Sequence, residues 1–281
     1  MLIKDEDINA YHENEAFGCT ACKKLHHNFG GSPAYFHDVN TGLIKKERKA
    51  CWDLGNAYHW YFLERDDFEN RIAVRPPGLK FTTKEGKAWK AEQGDKLTVT
   101  TDEMAGILLA EKRMEPEVRA LIGHKSALVE PTIRITRNGF VTQARPDQWN
   151  PLLGTADDLK TTSKFESFSR DAFKMGYHFQ EAWIRRHILE ETCEAIQSFR
   201  FLVFETVPPY RTAVREWDET ALAIGDQLVD DTLDILERGF GEEYWPTNHT
   251  ISSTMYTPAW AMDQLPEVDA DDIILGHEVE L

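Results

Sequence analysis

No run of eighteen apolar residues occurs in this sequence, so no segment reads as a membrane-spanning helix. The opening stretch MLIKDEDINAYHENE is acidic and has no apolar centre, so it does not read as a secretory signal, and a cytoplasmic location is expected. Cysteine is scarce, with four in 281 residues. That fits a reducing compartment and gives no disulfide framework. Internal repeats and low-complexity linkers are absent as well. Positive charge is in deficit: 32 Lys and Arg stand against 48 Asp and Glu, for a net charge of −16. A uniformly basic coat for nucleic acid is thereby excluded, since neutralising phosphates calls for Lys and Arg. The charge is unevenly spread, however. Acids gather in 1–15, 216–237 and from Glu267 onward, whereas 44–49, 80–90 and 134–145 are basic. A basic groove on an acidic body is the expectation.

With 41% apolar and 28% charged residues the composition is that of an ordinary soluble protein. The length can bury a sizeable core, as one elaborated domain or two small ones.

The chemistry concentrates between Asp147 and Lys160. An acid closes one strand, a short Pro/Gly loop follows, and a second strand carries Asp158, Leu159 and Lys160. Successive strand side chains point to opposite faces. Asp158 and Lys160 therefore share a face, and Leu159 and Asp157 turn away from it. Asp147 enters from the preceding strand end, so two carboxylates and an ammonium converge. A few carboxylate oxygens are what Mg²⁺ takes when it keeps waters and phosphate oxygens as its other ligands. A neighbouring lysine can orient a water or offset charge on a phosphate. The competing reading is a solvated acid–lysine pair of little energetic weight.

Around this stretch the periodicity predicts the following elements. A short helix spans 18–29, and a second opens at Ser32-Pro33 with serine as cap and proline at the first turn. His26, His27 and His37 read as surface residues on these short pieces. A helix from Glu47 to Glu64 places Trp52, Gly55, His59 and Phe62 on one face, where His59 reads as a hydrogen-bonded core histidine or a ligand. Lys80-Phe81 and Lys87-Ala88-Trp89-Lys90 interleave basic and aromatic side chains, which suits an unstacked nucleic-acid strand or, equally, an exposed connecting helix. Thr100 to Glu103 is a capping box for a helix to about Met114, and a shorter helix over 116–122 ends at Gly123. Glu130 precedes a strand from Thr132 to Thr136, which turns at Asn138-Gly139 and returns to Arg145. Arg137 and Arg145 are candidate phosphate contacts. Ser163 is the expected cap of a helix reaching about Cys193, bent at Gly176, with Phe165, Phe168, Ala172, Met175 and Phe179 on its core face. Strands over 198–207 and 210–217 and a helix from Asp218 to Arg238 close the fold, followed by an irregular tail.

The blocks RPD (Arg145 to Asp147), DLKTT (Asp158 to Thr162) and GYHFQ (Gly176 to Gln180) resemble the PD-(D/E)XK nuclease superfamily. Within it they are similar to phage and prophage exonucleases of the exonuclease VIII (RecE) type, relatives of lambda exonuclease. The likeness extends to YHENEAFGCTACKKLHHNFGGSPAYF, DLGNAYHWYFLE and GKAWKAE, in the right order, and so covers most of the chain. It implies an α/β fold with a mixed central sheet flanked by helices. It further implies one domain over 1–281, with a mainly helical part over 1–125, a nuclease core over 126–240 and an irregular tail over 241–281. The implied activity is Mg²⁺-dependent hydrolysis of linear double-stranded DNA, 5′ to 3′, exposing single strands for recombination, with Mn²⁺ able to substitute. Asp147, Asp158 and the Leu159 carbonyl would hold metal, joined by Glu130 and His59; Lys160 would position the attacking water, and Gln180 would stand near it. Ser32, Arg137, Arg145, Tyr177, Lys87 and Trp89 are the candidate DNA contacts. The implied partners are duplex ends, further copies of the chain in a closed ring, and a single-strand annealing recombinase.

Two other readings stay open. Other members of the superfamily are endonucleases or hold an iron–sulfur cluster, typically with one cysteine before the core and three after it. Here Cys19, Cys22 and Cys51 precede the core and Cys193 falls in or just after the long helix, which does not match. A non-catalytic protein binding DNA ends would keep the fold but has no need of converging, mutually repelling acids.

Overall fold

The computed structural model describes residues 1–44 and 52–247. The chain begins with β1 (Leu2–Ile3), α1 (Ile8–Glu13), β2 (Phe17–Gly18), α2 (Cys19–Cys22) and α3 (Pro33–Asn40). Next come α4 (Trp52–Leu63), α5 (Phe68–Arg71), β3 (Ile72–Arg75), α6 (Lys84–Glu92), β4 (Leu97–Thr100), α7 (Thr101–Arg113) and α8 (Pro116–Leu121). The strand-rich part holds β5 (Leu128–Val129), β6 (Thr132–Arg137), β7 (Phe140–Ala144), β8 (Gln148–Asn150) and β9 (Thr155–Thr162). It closes with α9 (Phe168–Lys174), α10 (Tyr177–Thr192), β10 (Ser198–Glu205), β11 (Thr212–Arg215) and α11 (Glu219–Glu242).

The α/β class and the mixed pairing agree with expectation, but the strands divide into two principal sheets. A five-stranded sheet runs β11-β10-β9-β8-β5, with β9 and β10 parallel and the other pairs antiparallel. A four-stranded sheet runs β1-β6-β7-β2 and borrows its two outer strands from the N-terminal segment. That segment is therefore woven into the core rather than set apart from it. A parallel ribbon of β3 and β4 stands separately. Residues 248–281, which include most of the expected tail, lie outside the described residues, as do Cys51 and most of the basic stretch 44–49. Among the described residues no helix is long and apolar enough to cross a membrane.

The five-stranded sheet separates two cores, and strand alternation explains how. Along β10, Phe199, Phe201 and Val203 pack with Phe179, Trp183, Leu233 and Leu236 of α10 and α11. Leu202 and Phe204 emerge on the opposite face and pack with Tyr58, Phe62 and Ile107 of α4 and α7. On β9 the same alternation sends Leu159 to the second core and Ala156 to the first. Asp157, on the Leu159 face, is taken by Arg200 at 2.6 Å, as its parity predicts.

Several local expectations hold. Ser32 accepts from the Tyr35 N–H at 3.1 Å, and Thr100 and Glu103 form the reciprocal capping box. The Asn138-Gly139 turn joins β6 and β7 in register, Arg137 opposite Phe140. Others do not. The expected helix over 18–29 is broken into α2 and two 3₁₀ turns. His26 is buried, with Nε2 at 2.6 Å from Thr232 Oγ1, and so is not a surface residue. After β9 there are two helices instead of one bent one, because Gly176 takes a left-handed conformation (φ 70°) that ends α9 and starts α10. Met175, at that break, is 56% exposed and leaves the core face. Ser163 caps nothing; the turn there is made by Thr162 Oγ1, which accepts from the Lys164 N–H at 2.9 Å.

The contact of α10 with α11 is close. A Cβ at Gly225 would lie 2.4 Å from the carbonyl oxygen of His178, a backbone atom that cannot swing aside. Gly225→Val is expected to destabilise the chain by about 1–3 kcal/mol through forced separation of the helices, read as a lower urea midpoint with an unchanged slope.

His187 on α10 is fully buried. Its Nδ1 lies 2.7 Å from Trp183 O and its Nε2 2.9 Å from Thr142 Oγ1, an arrangement that suits the neutral ring. Burial lowers its pKa to about 3, against the backbone bond from Trp183 and helped by Arg137 and Arg186. The unfolded chain takes up this proton first, near the ordinary histidine value. The contribution of His187 is therefore full above about pH 6.5 and declines as pH falls, by roughly 2 kcal/mol at about pH 5. The stability gap between the unaltered chain and His187→Gln is expected to narrow by that amount between about pH 7.5 and 5, measured by urea unfolding.

Candidate functional site

The site forms where β9 outruns its neighbour. β8 pairs with β9 only from Asn150↔Thr155 to Gln148↔Asp157. Beyond Asp157 the edge of β9 lacks a strand on that side, and the Asp147 side chain takes its place. Asp147 Oδ2 accepts from the Leu159 N–H at 2.7 Å. The N–H and C=O of one strand residue leave by the same edge, so the Leu159 carbonyl opens toward this carboxylate too. Asp147 does not close the β7 strand, as expected from sequence. β7 ends at Ala144 in the other sheet, and Asp147 stands immediately before β8, at the crossing from one sheet to the other.

Asp158 and Lys160 share the face of β9 that looks toward α10. Lys160 Nζ makes a close ion pair with Asp158 Oδ2 and lies 4.7 Å from the centre of the Tyr177 ring. Gln180, one turn along α10 from Tyr177, donates from Nε2 to Asp158 Oδ1 at 2.7 Å. The first turn of α10 thus clamps both groups. Asp158 is 1% exposed, with the Lys160 ammonium against Oδ2 and Gln180 on Oδ1.

His59 reaches the same point from α4. Its Nε2 lies 3.3 Å from Asp147 Oδ1 and 3.4 Å from Glu130 Oε1, and its Nδ1 lies 3.7 Å from Glu64 Oε1. That Nε2 therefore stands between the two carboxylates. Glu130, whose backbone is left-handed (φ 46°), is held by Arg145 Nη2 at 2.6 Å. His59, Glu64 and Glu130 each offer one ligand atom within 4.8 Å of the others.

Glu64 was not anticipated. Five residues after His59, it would lie far round a continuous helix, so periodicity gives no signal for it. The helix ends at Leu63, however, and Glu64 leaves it with φ −126° and ψ 49°, which returns the carboxylate toward His59. Arg71 holds it from the other side at 2.8 Å. The acid one residue past a helix bearing a candidate ligand was the available clue.

The electrostatics follow from crowding. Burial raises the Asp158 pKa to about 6, with the Asp147 charge adding to the rise and Lys160 opposing it. For Asp147 burial pushes up, but His59, Lys160 and the Leu159 N–H outweigh it and hold its pKa below the usual carboxylate range. Burial lowers and the surrounding Asp147, Glu130 and Glu64 raise the His59 pKa, which ends at about 9. Asp147, Asp158, Glu130 and Glu64 thus gather here, with His59, Lys160, Arg145 and Arg71 as their counter-charges.

Such a set fits a hard divalent cation. Among the described residues His59, Glu64 and Glu130 are the group whose ligand atoms share one small space, and Asp147 adjoins it through His59; carboxylate oxygens are the donors that such a cation takes while keeping waters. Of the residues expected from sequence, Asp147, Asp158, Leu159, Lys160, Glu130, His59, Gln180, Tyr177 and Arg145 come together. Four do not. Ser32 is spent as a helix cap. Arg137 is bound to Glu190 at 2.9 Å. Lys87 and Trp89 lie on α6, in the separate ribbon. Among the described cysteines, Cys22 is wholly buried in the apolar core and Cys193 is exposed where α10 ends.

No protein-family model matches this chain, and no curated protein matches it. Among solved structures it is similar to a crystal structure from Eubacterium rectale named "putative exonuclease". The TM-score is 0.60 at 13% identity, covering 94% of this chain and 99% of that one. At that identity the likeness is one of fold.

Proposed function

We propose that this chain is a metal-dependent deoxyribonuclease of the PD-(D/E)XK kind, hydrolysing phosphodiester bonds of linear duplex DNA from its ends. The observation that carries the reading is the convergence of Asp147, Asp158 and Lys160 where β9 outruns β8, with the Asp147 carboxylate on the Leu159 N–H and the Lys160 ammonium against Asp158. The name of the structural neighbour points the same way.

In this reading Asp147, Asp158, Glu130 and the Leu159 carbonyl hold Mg²⁺, or Mn²⁺ in its place. When bound, the ion would offset negative charge on the phosphate and lower the pKa of water. Gln180 fixes Asp158 through Oδ1, leaving Oδ2 to face inward. Lys160, seated over the Tyr177 ring, would orient the attacking water and offset charge that develops on the phosphate oxygens. Arg145 and His59 hold Glu130 and Asp147 in position. Water adds at phosphorus, the ester P–O bond breaks, and the departing oxygen takes a proton.

The finer elements of the proposal are digestion 5′ to 3′, service to recombination through a single-strand annealing partner, a cytoplasmic setting, and a closed ring of identical chains. A ring suits an acidic protein, because enclosure keeps the duplex bound without a strongly basic surface. End-labelled linear duplex, incubated with the chain with and without Mg²⁺, tests the central claim. Metal-dependent shortening from the ends is expected. Cleavage of closed circles at a similar rate points to an endonuclease, and binding of ends without cleavage sinks the enzyme reading.

A further inference from the structure

Residues 71–98 carry seven Lys and Arg against three Asp and Glu, a positive island in a chain of net charge −16. They form one parallel βαβ unit, β3–α6–β4, in register from Ile72↔Leu97 to Arg75↔Thr100. Part of this charge is used internally. Arg71 is bound to Glu64 and Asp67, Lys90 Nζ donates to Lys96 O and Thr98 Oγ1, and Lys96 Nζ donates to Glu69 O. Lys80, Lys84 and Lys87 differ. They are exposed, and their ammonium groups have no ion pair or hydrogen bond among the described residues.

Beside these lysines stands an aromatic stack. The Phe81 ring lies nearly parallel to Trp89, at 17° and 6.2 Å between centres, and the Arg75 guanidinium is 5.1 Å from the Phe81 centre. Phe81 is nonetheless 39% exposed. The loop that bears it is pinned to α6: Thr83 Oγ1 donates to Lys80 O at 3.0 Å and accepts from the Gly86 N–H at 3.1 Å. Lys80 and Phe81 are therefore fixed relative to Lys84 and Lys87. The unit also adjoins the acid cluster, since Arg71 binds Glu64 and β3 runs directly from Arg71. At about 3.3 Å per residue, Arg75 lies about 13 Å farther on.

We infer that the β3–α6–β4 unit is a platform for single-stranded DNA, receiving the strand set free as its complement is hydrolysed. The inference rests on the nuclease reading above. Lys80, Lys84 and Lys87 meet the phosphates, and a base packs on the Phe81–Trp89 stack. A row of ammonium groups follows a backbone of any sequence, and every base has a face to stack. A duplex presents no unstacked base, and an acidic peptide supplies charge without one, so the aromatic half of the surface selects a single strand.

The test is fluorescence anisotropy of a labelled oligothymidylate with the full chain in EDTA, over a series of salt concentrations. The oligomer is expected to bind, Phe81→Ala to weaken it about tenfold through lost stacking, and Phe81→Trp to retain it. Lys84→Gln with Lys87→Gln is expected to reduce the slope of log K against log salt by roughly 1.4, for two single-strand phosphate contacts at about 0.7 each. Unchanged affinity and slope in these variants, or binding of duplex or polyglutamate but not of oligothymidylate, overturns the inference. Digestion of linear duplex by the unaltered chain is followed in parallel. Digestion without oligothymidylate binding removes the platform and leaves the nuclease. Binding with the expected variant pattern, but no digestion with Mg²⁺ or Mn²⁺, removes the nuclease and leaves a strand-binding surface.

Discussion

Asp158→Asn is expected to lower cleavage of linear duplex by roughly 10³-fold, about 4 kcal/mol of transition-state stabilisation, in a chain that still folds. The two effects separate because of how Asp158 is held. Burial and the Asp147 charge both disfavour its ionised form, against the pull of Lys160. An amide resembles the neutral form, and although Lys160 loses this partner the Asp147 carboxylate remains near it, so the variant is expected to fold with a lowered melting temperature. The carboxamide still accepts from Gln180 through its oxygen, but it cannot supply the charged oxygen that now faces the cluster. Initial rates, circular dichroism melting and Mn²⁺ titration calorimetry on the same preparation decide the matter. Retention of more than a few per cent of the activity by a folded variant places the chemistry elsewhere.

Lys160→Ala is expected to reduce the maximal rate by roughly 10²–10³-fold with much less change in the affinity for DNA ends. Its effect on the metal is the more telling measurement. The ammonium sits against Asp158 and also lowers the pKa of Asp147, so in the resting protein it competes with a cation for the same carboxylates. Removing it should leave Mn²⁺ affinity equal or higher while turnover collapses. A variant that loses metal affinity and rate together would show instead that Lys160 only holds the acids in place.

How much of this was legible in the sequence depends on the range of the interaction. Parity along β9 correctly paired Asp158 with Lys160 and turned Asp157 away, because a strand's two faces are set by counting. The caps at Ser32 and Thr100 and the turn at Asn138-Gly139 are equally local and were read correctly. The division into two sheets was not readable, since β1 and β2 find their partners more than a hundred residues away. The burial of His26 fails for the same reason: its partner, Thr232, lies on the last described helix. The break after β9 was half visible. Gly176 marked it, but the apolar spacing on either side fits one continuous helix as well as two. Glu64 stayed hidden because it acts only where a helix has stopped, and no periodicity extends past its own element. Gln180, which residue patterns alone would put on the surface, was anticipated only through the family resemblance.

The Asp147 carboxylate has a second consequence, one of solubility. A strand edge with bare N–H and C=O groups is a template on which another chain can add a strand. β9 has such an edge beyond Asp157, and the Asp147 oxygen fills its first vacant position by accepting from Leu159. This proposed metal ligand thus also stands guard over the sheet. Asp147→Ala would remove the proposed ligand and the edge cover together, so inactive material from that variant should be checked for self-association by light scattering before its silence is attributed to lost chemistry.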